Sequence, residues 1–471
     1  MSGTRPVVVA ERPASGSPRP YAFPSFQRAW LDNGLGVLTV HLPGRPLVAA
    51  SLVITSGAAD EPDELAGTTV LMARALTEGT ERYDAIQLVE AAERLGASLH
   101  AEAGWDSTSI SADVPADRLP AMLKLIEEVL ARPTFPATEV ERLRDERLND
   151  ILQARADPRR RAEDAFVAAI YAPTSPYGRP VAGTAETVGR LDAATARAAL
   201  GRRFDPARMT LIVGGDLTGI DVLELAAEWF GTWRADPDVA PARETDASPA
   251  ASGPRVRVVH RPGSVQTEIR IGHPGVSRRI PDFHALSVMS TILGGLFNSR
   301  LNRKLREEKG YTYGASAGFD LRRAAGPFGA RAAVNTEVTV PAVLDIVAEL
   351  ARIRSGVTDA ELTEARDYLV GVFPLRFETA GAVVGALSGL VVQGLPDDEL
   401  SRYRPAIQAV TMDDVLAAAT EHVRPDDSRI VLVGDADEFM PALEAASLGS
   451  IEVEREAAPQ PALKVADGDA A

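Results

Sequence analysis

The sequence predicts an α+β protein of two homologous halves, each a largely antiparallel sheet packed with helices. Three observations carry this. Short runs of β-branched and apolar residues alternate with paired helical segments. Pieces of the first half recur in order in the second. VAASLVITSG from Val48 matches VQTEIRIGHPG from Val265, the charged stretch around Val140 matches that around Leu362, and LIVGGD ending at Asp216 matches VLVGD ending at Asp435, at offsets of 217, 222 and 219 residues. Between the copies, ADPDVAPARETDASPAASGP (235–254) has no periodicity and reads as a linker. The expected organisation is a flexible segment 1–25, a first domain 26–234, the linker 235–254, a second domain 255–456 and a disordered tail 457–471.

In chain order, Gly36 to Val40 and Leu47 to Thr55 read as strands, and Leu65 to Thr77 as a buried helix after a Gly/Asp/Pro loop. Tyr83 to Leu95 is a helix stopped by Gly96, and Ser98 to Val114 alternates as two strands turning near Gly104. Leu119 to Ala131 and Ala137 to Arg155 are helices, the second strongly charged and bounded by Asp157-Pro158. Met209 to Val213 is a strand, with Asp216 as N-cap of a helix through Trp229. In the second half, apolar residues from Leu286 to Leu305 keep helical spacing until Lys309-Gly310 stops the helix, and an aromatic strand starts at Tyr311.

Composition excludes several classes. The chain of 471 residues carries a net charge of −16, which disfavours nucleic acid and anionic membranes as partners. It contains no Cys, so disulfides, thiolate metal sites and thiol nucleophiles are out. The N-terminal apolar run, Val7 to Ala10, is too short for a signal-peptide core, and no later stretch is long enough to span a bilayer, so the expected compartment is the cytoplasm. The six histidines (41, 100, 260, 273, 284, 422) include no helical pair with zinc-ligand spacing, and no Gly-x-Ser-x-Gly motif occurs. The repeated strand-Gly-Asp lacks a phosphate-loop fingerprint.

Several stretches together resemble the insulinase/pitrilysin-type (M16, inverzincin) zinc peptidases, in their short-subunit bacterial and mitochondrial-processing-peptidase-like branch. They are TSGAADEPDELAG (55–67) with Glu78-Gly79-Thr80, GASLHAEAGWDST (96–108), SPYGRPVAGT (175–184) and SRLNRKLREEKGYTYG (299–314). The resemblance implies a clamshell of two similar halves. It also implies a metal helix carrying H-x-x-E-H, with His ligands one turn apart and a Glu base between them. Here those positions hold Val70, Ala73 and Arg74, and Asp150 falls where the third ligand, a Glu, would stand. No zinc is expected in this chain.

The family's Arg/Tyr pair, by contrast, is present as Arg306 and Tyr313. In the family these donors bind the substrate backbone and stabilise the tetrahedral intermediate, which suits a fixed guanidinium and a phenol. Arg300, Arg303 and Tyr311 are the competing residues. The resemblance thus implies a non-catalytic subunit of a heterodimeric zinc metalloendopeptidase. A partner would supply H-x-x-E-H and zinc, and a peptide would add as a strand to a sheet edge of which His100 to Gly104 is the relic here. The alternative is an inactive scaffold or peptide-binding protein with no peptidase partner. Only Gly294-Gly295 stands where mitochondrial receptor-type subunits carry a long glycine-rich loop, so a presequence-sensing role is not expected.

Overall fold

The computed structural model describes residues 16–455 apart from 17 and 242. Most of the segment 1–25 and the tail 457–471, expected to be flexible, lie outside the described residues. Strands β1 (Gln27–Trp30), β2 (Gly36–His41), β3 (Leu47–Ile54), β4 (Ser98–Ala103), β5 (Thr108–Pro115) and β6 (Met209–Gly215) form one sheet, ordered β1-β2-β6-β3-β5-β4. Strands β7 (Val256–His260), β8 (Gln266–Pro274), β9 (Ala315–Phe319), β10 (Pro327–Asn335), β11 (Arg429–Gly434) and β12 (Ile451–Arg455) form the second, ordered β12-β7-β11-β8-β10-β9. Each sheet is antiparallel from its centre to β4 or β9, and each contains one equivalent parallel pair, β2–β6 and β7–β11. The halves differ at the opposite edge, where β1 runs antiparallel to β2 but β12 parallel to β7.

The duplication is visible in single hydrogen bonds. Asp216 accepts from the Gly44 amide at 3.0 Å and Asp435 from the Gly263 amide at 2.6 Å. His41 accepts from the Leu217 amide and His260 from the Ala436 amide, both at 3.1 Å. Each member of these pairs lies 219 residues from its counterpart. The strand-Gly-Asp repeat is therefore a clamp on the neighbouring turn. Asp435 also caps the helix Ala436–Ala445, but Asp216 does not cap a helix: it closes a turn onto Thr218, and the next helix starts at Val222 with Asp221 as its cap.

Five helices of the first half matter here: α1 (Thr68–Ala75), α2 (Ala85–Arg94), α3 (Leu119–Ala131), α4 (Ala137–Ala156) and α5 (Pro158–Ile170). The last was not legible as a separate element. Asp157 ends α4 and its carboxylate accepts from the Arg159 amide, while Pro158 takes the first helical position, where its missing N–H costs nothing. This helix lies on β8 and β11 of the second sheet, with Phe166 against Gly272, where a Cβ would stand 2.9 Å from the ring. In return the helix Ala380–Gln393 lies on β3 and β6 of the first sheet, with Val384 against Gly214. Covered on both faces, β3 is buried at every residue after Leu47. Leu38, Val40 and Ile212 consequently share one apolar cluster with the second half's Val383 and Leu387.

The tips of the two β4–β5 and β9–β10 hairpins meet. The Arg322 guanidinium lies 5.0 Å above the Trp105 ring, and the Arg323 amide donates to Asp106 at 2.9 Å. SPYGRP supports this junction: Tyr177 is fully buried and donates its hydroxyl to Asp106 at 3.1 Å, while Tyr171 donates to Ala325 O at 2.8 Å. Among the described residues no single helix is long and apolar enough to cross a membrane.

Candidate functional site

The first place to look is α1. It starts at Gly67, which has no side chain to cap it, and the Glu61 carboxylate does so instead, accepting from the Gly67 amide at 2.9 Å and from the Thr69 amide. Arg179 of SPYGRP holds that carboxylate at 3.3 Å. The helix is thus fixed by buried polar contacts, yet its exposed end has no metal chemistry. Val70 is half-buried and aliphatic, and Ala73 is fully buried. Arg74 donates to Glu146 of α4 at 3.0 Å. Glu146 also receives Arg142 at 2.5 Å, and Arg142 reaches Glu78 and Glu139, each at 2.8 Å. The hydrogen bonds it donates to Glu139 first, then Glu78, hold the Arg142 guanidinium above its ordinary pKa. Asp150 lies one turn beyond Glu146, exposed and in no ion pair among the described residues.

This donor set does not fit zinc. It offers no nitrogen ligand and places a guanidinium where a ligand should be. Among the described residues the one His/carboxylate grouping near enough for a cation is His260, Asp435 and Asp437, far along the chain from α1. There Arg455 already takes Asp437 at 2.9 Å. What remains beside α1 is a groove of about 470 Å³ between Arg74, Thr77 and Glu78 on one side and Leu99 to Glu102 of β4 on the other. Strand β4 is the sheet's outer strand, with its unpaired backbone edge open.

The second place is the turn before β9, the outer strand of the other sheet. The expected continuous helix is interrupted. After Phe283–Ser290 it widens, breaks between Leu296 and Ser299, and resumes to Glu308; Gly310 then closes it at φ +65°. Strand β9 starts only at Ala315, so Tyr311 and Tyr313 lie on a loop and strand alternation does not orient them. Tyr311 packs on the core, whereas Tyr313 is 92% exposed. Asn302 ties the loop down, accepting from the Ala315 amide at 2.8 Å and donating to Leu296 O at 3.1 Å.

The competing arginines separate clearly. Arg300 is buried and binds Glu361 through two bonds of 2.7 and 2.9 Å. Burial would raise the Glu361 carboxyl, but hydrogen bonds from Arg300 and the Thr358 backbone outweigh it and bring its pKa down to about 2. Arg300 is therefore a structural cation. Arg303 is exposed, with one long bond to Asn298 O. Arg306 lies 4.4 Å over the ring of Phe297, itself 60% exposed, with its Nε 3.4 Å from Glu307. Arg306 and Tyr313 thus emerge from one turn, and no hydrogen bond joins them. Phe297, which sequence reasoning missed, is readable only as an aromatic beside the glycine pair.

Comparisons with known proteins support the family and the fold. Residues 36–185 match the family described as insulinase (peptidase family M16), and residues 190–369 match the peptidase M16 inactive domain. An uncharacterized zinc protease of Mycobacterium tuberculosis is 28% identical over 83% of this chain and 90% of its own length. The Helicobacter pylori non-peptidase homolog YmxG is 23% identical over 78% of this chain and 84% of its own. A probable mitochondrial-processing peptidase subunit beta of Arabidopsis thaliana is 23% identical, covering 87% and 78% respectively. Among solved structures, a peptidase M16 inactive domain from Pseudomonas fluorescens superposes with a TM-score of 0.80 at 26% identity, over 87% of this chain and 98% of that one. These names divide between protease and non-peptidase, so the residues at α1 have to decide for this chain.

Proposed function

The chain belongs to the insulinase (M16) peptidase family, and on that premise we propose that it is a non-catalytic subunit of a heterodimeric zinc metalloendopeptidase acting on peptides in the cytoplasm. The observation that carries this is the chemistry of α1, where Val70 and Arg74 stand at the expected His positions and Arg74 is tied to Glu146, while the Arg306/Tyr313 turn stays open to solvent. The metal, its activated water and the general base belong to the partner, a family member carrying H-x-x-E-H. This chain contributes half of the chamber wall and two donors. The Arg306 guanidinium and Tyr313 phenol donate to the substrate backbone near the scissile bond, and gain strength as charge develops on the carbonyl oxygen. The relative named as a processing-peptidase subunit supports pairing of two such chains.

The test is co-expression with a similar-length chain containing H-x-x-E-H. Co-purification and zinc-dependent cleavage by the pair, with neither in this chain alone, is the expected result. Cleavage by the clean single chain would falsify the assignment. A second reading, a peptide-binding scaffold without peptidase partner, is favoured by one feature: the groove beside the open β4 edge suits strand addition. It predicts saturable binding of extended peptides by the isolated chain, lost when Pro replaces Ala101 on β4.

A further inference from the structure

We propose that Phe297 is a positioning residue whose ring holds the Arg306 guanidinium in place for the peptide backbone, an inference that rests on the function proposed above. The guanidinium lies 4.4 Å over the ring. Among the described residues no hydrogen bond holds it, and its one ion-pair neighbour is the adjacent Glu307, 3.4 Å from Nε. An exposed pair of that kind contributes little by itself. Both Nη nitrogens are left to donate elsewhere. A half-exposed arginine otherwise samples many rotamers, and a ring face under the cation restricts it without using any of its N–H donors.

The ring does not serve the core. Phe297 is 60% exposed, and a phenylalanine left that open gives up most of what burial would contribute. Its backbone, however, is fixed on both sides. Gly294 lies so close to β9 that a Cβ there would overlap the Ala317 amide nitrogen. The Leu296 carbonyl accepts from the Ser299 amide and from Asn302 Nδ2, both at 3.1 Å, and Asn298 Nδ2 donates to Glu364 at 3.0 Å. Phe297 thus stands between two anchored residues. Asn302 also accepts from the Ala315 amide, two residues after Tyr313, so one side chain ties the Phe297 turn to the Tyr313 loop. An exposed ring on so firmly held a backbone serves contact rather than packing, and the contact it makes is with Arg306. Fixing that donor before substrate arrives lowers the cost of ordering it in the transition state.

Two readouts test this. In the isolated full-length chain, nitrogen relaxation of the Arg306 Nε–H group, assigned by its loss in Arg306→Lys, reports the order of the side chain. It should be restrained in the wild type, mobile in Phe297→Leu, and restrained again in Phe297→Tyr, which keeps the ring. Equal order in all three overturns the inference. In the pair assembled with the H-x-x-E-H subunit, Phe297→Leu should lower kcat about two- to fivefold, the scale of an exposed cation–π contact, with KM little changed. In an Arg306→Ala background it should cost nothing further. An unchanged kcat, additive losses, or a raised KM with kcat intact would overturn the positioning role. A wild-type pair that cleaves nothing would defeat the proposed function instead, and the relaxation measurement would still decide whether Phe297 holds Arg306.

Discussion

Arg74 on α1 donates to Glu146 on α4 at 3.0 Å and ties the two helices together. Both side chains are about two-fifths exposed, so a double-mutant cycle should return only ~0–1 kcal/mol. The expected result of elemental analysis on Arg74→His is still no zinc at α1, because one imidazole with Val70 and Ala73 beside it is not a site. Stoichiometric zinc at α1 in that single variant would show that ligands are recruited from elsewhere.

Arg306→Ala should lower kcat/KM of the assembled peptidase by ~1.5–3 kcal/mol, the worth of a charged hydrogen bond, and leave the isolated chain's stability within ~0.5 kcal/mol. The half-exposed setting of Arg306 over Phe297 is why activity and stability separate here. Steady-state kinetics and urea unfolding read the two effects. An unchanged kcat/KM would make the Arg/Tyr turn structural.

Tyr177→Phe should cost ~1–3 kcal/mol, because it removes a donor from Asp106, whose carboxylate is buried and also anchors the Arg323 amide. Urea unfolding measures it. A loss under ~0.5 kcal/mol would mean that the hairpin-tip junction does not depend on that hydroxyl.

Acid should destabilise the chain in two successive windows. Burial depresses His273 from 6.5 to about 4, so the unfolded chain binds the extra proton first and stability falls between those values. Glu361 is depressed from 4.5 to about 2, so its contribution is whole above 4.5 and lost as pH falls toward 2. Urea midpoints against pH, compared with Glu361→Gln, resolve the second window. A difference between the two proteins that does not shrink below pH 4.5 would contradict the Arg300–Glu361 assignment.

Much of the molecule was legible before any coordinates. The two-half α+β architecture followed from alternating periodicities and from repeated pieces such as those ending at Asp216 and Asp435. That Val70, Ala73 and Arg74 offer no imidazole or carboxylate was equally plain, because ligand chemistry is a property of the side chains whatever surrounds them. Periodicity and side-chain type are local, reaching over one or two helical turns. Contacts between elements are not, and they decided the rest. Packing paired Arg74 with Glu146 and left Asp150 exposed. It sent α5 to the second sheet and a second-half helix to the first, because each exposes an apolar face that only the other half's sheet can cover. It placed Tyr313 on a loop, where only the register of β9 could show that the strand starts two residues later. And it buried Arg203, whose guanidinium donates to Ala199, Gly57 and Thr69, contacts that no single stretch of the sequence records.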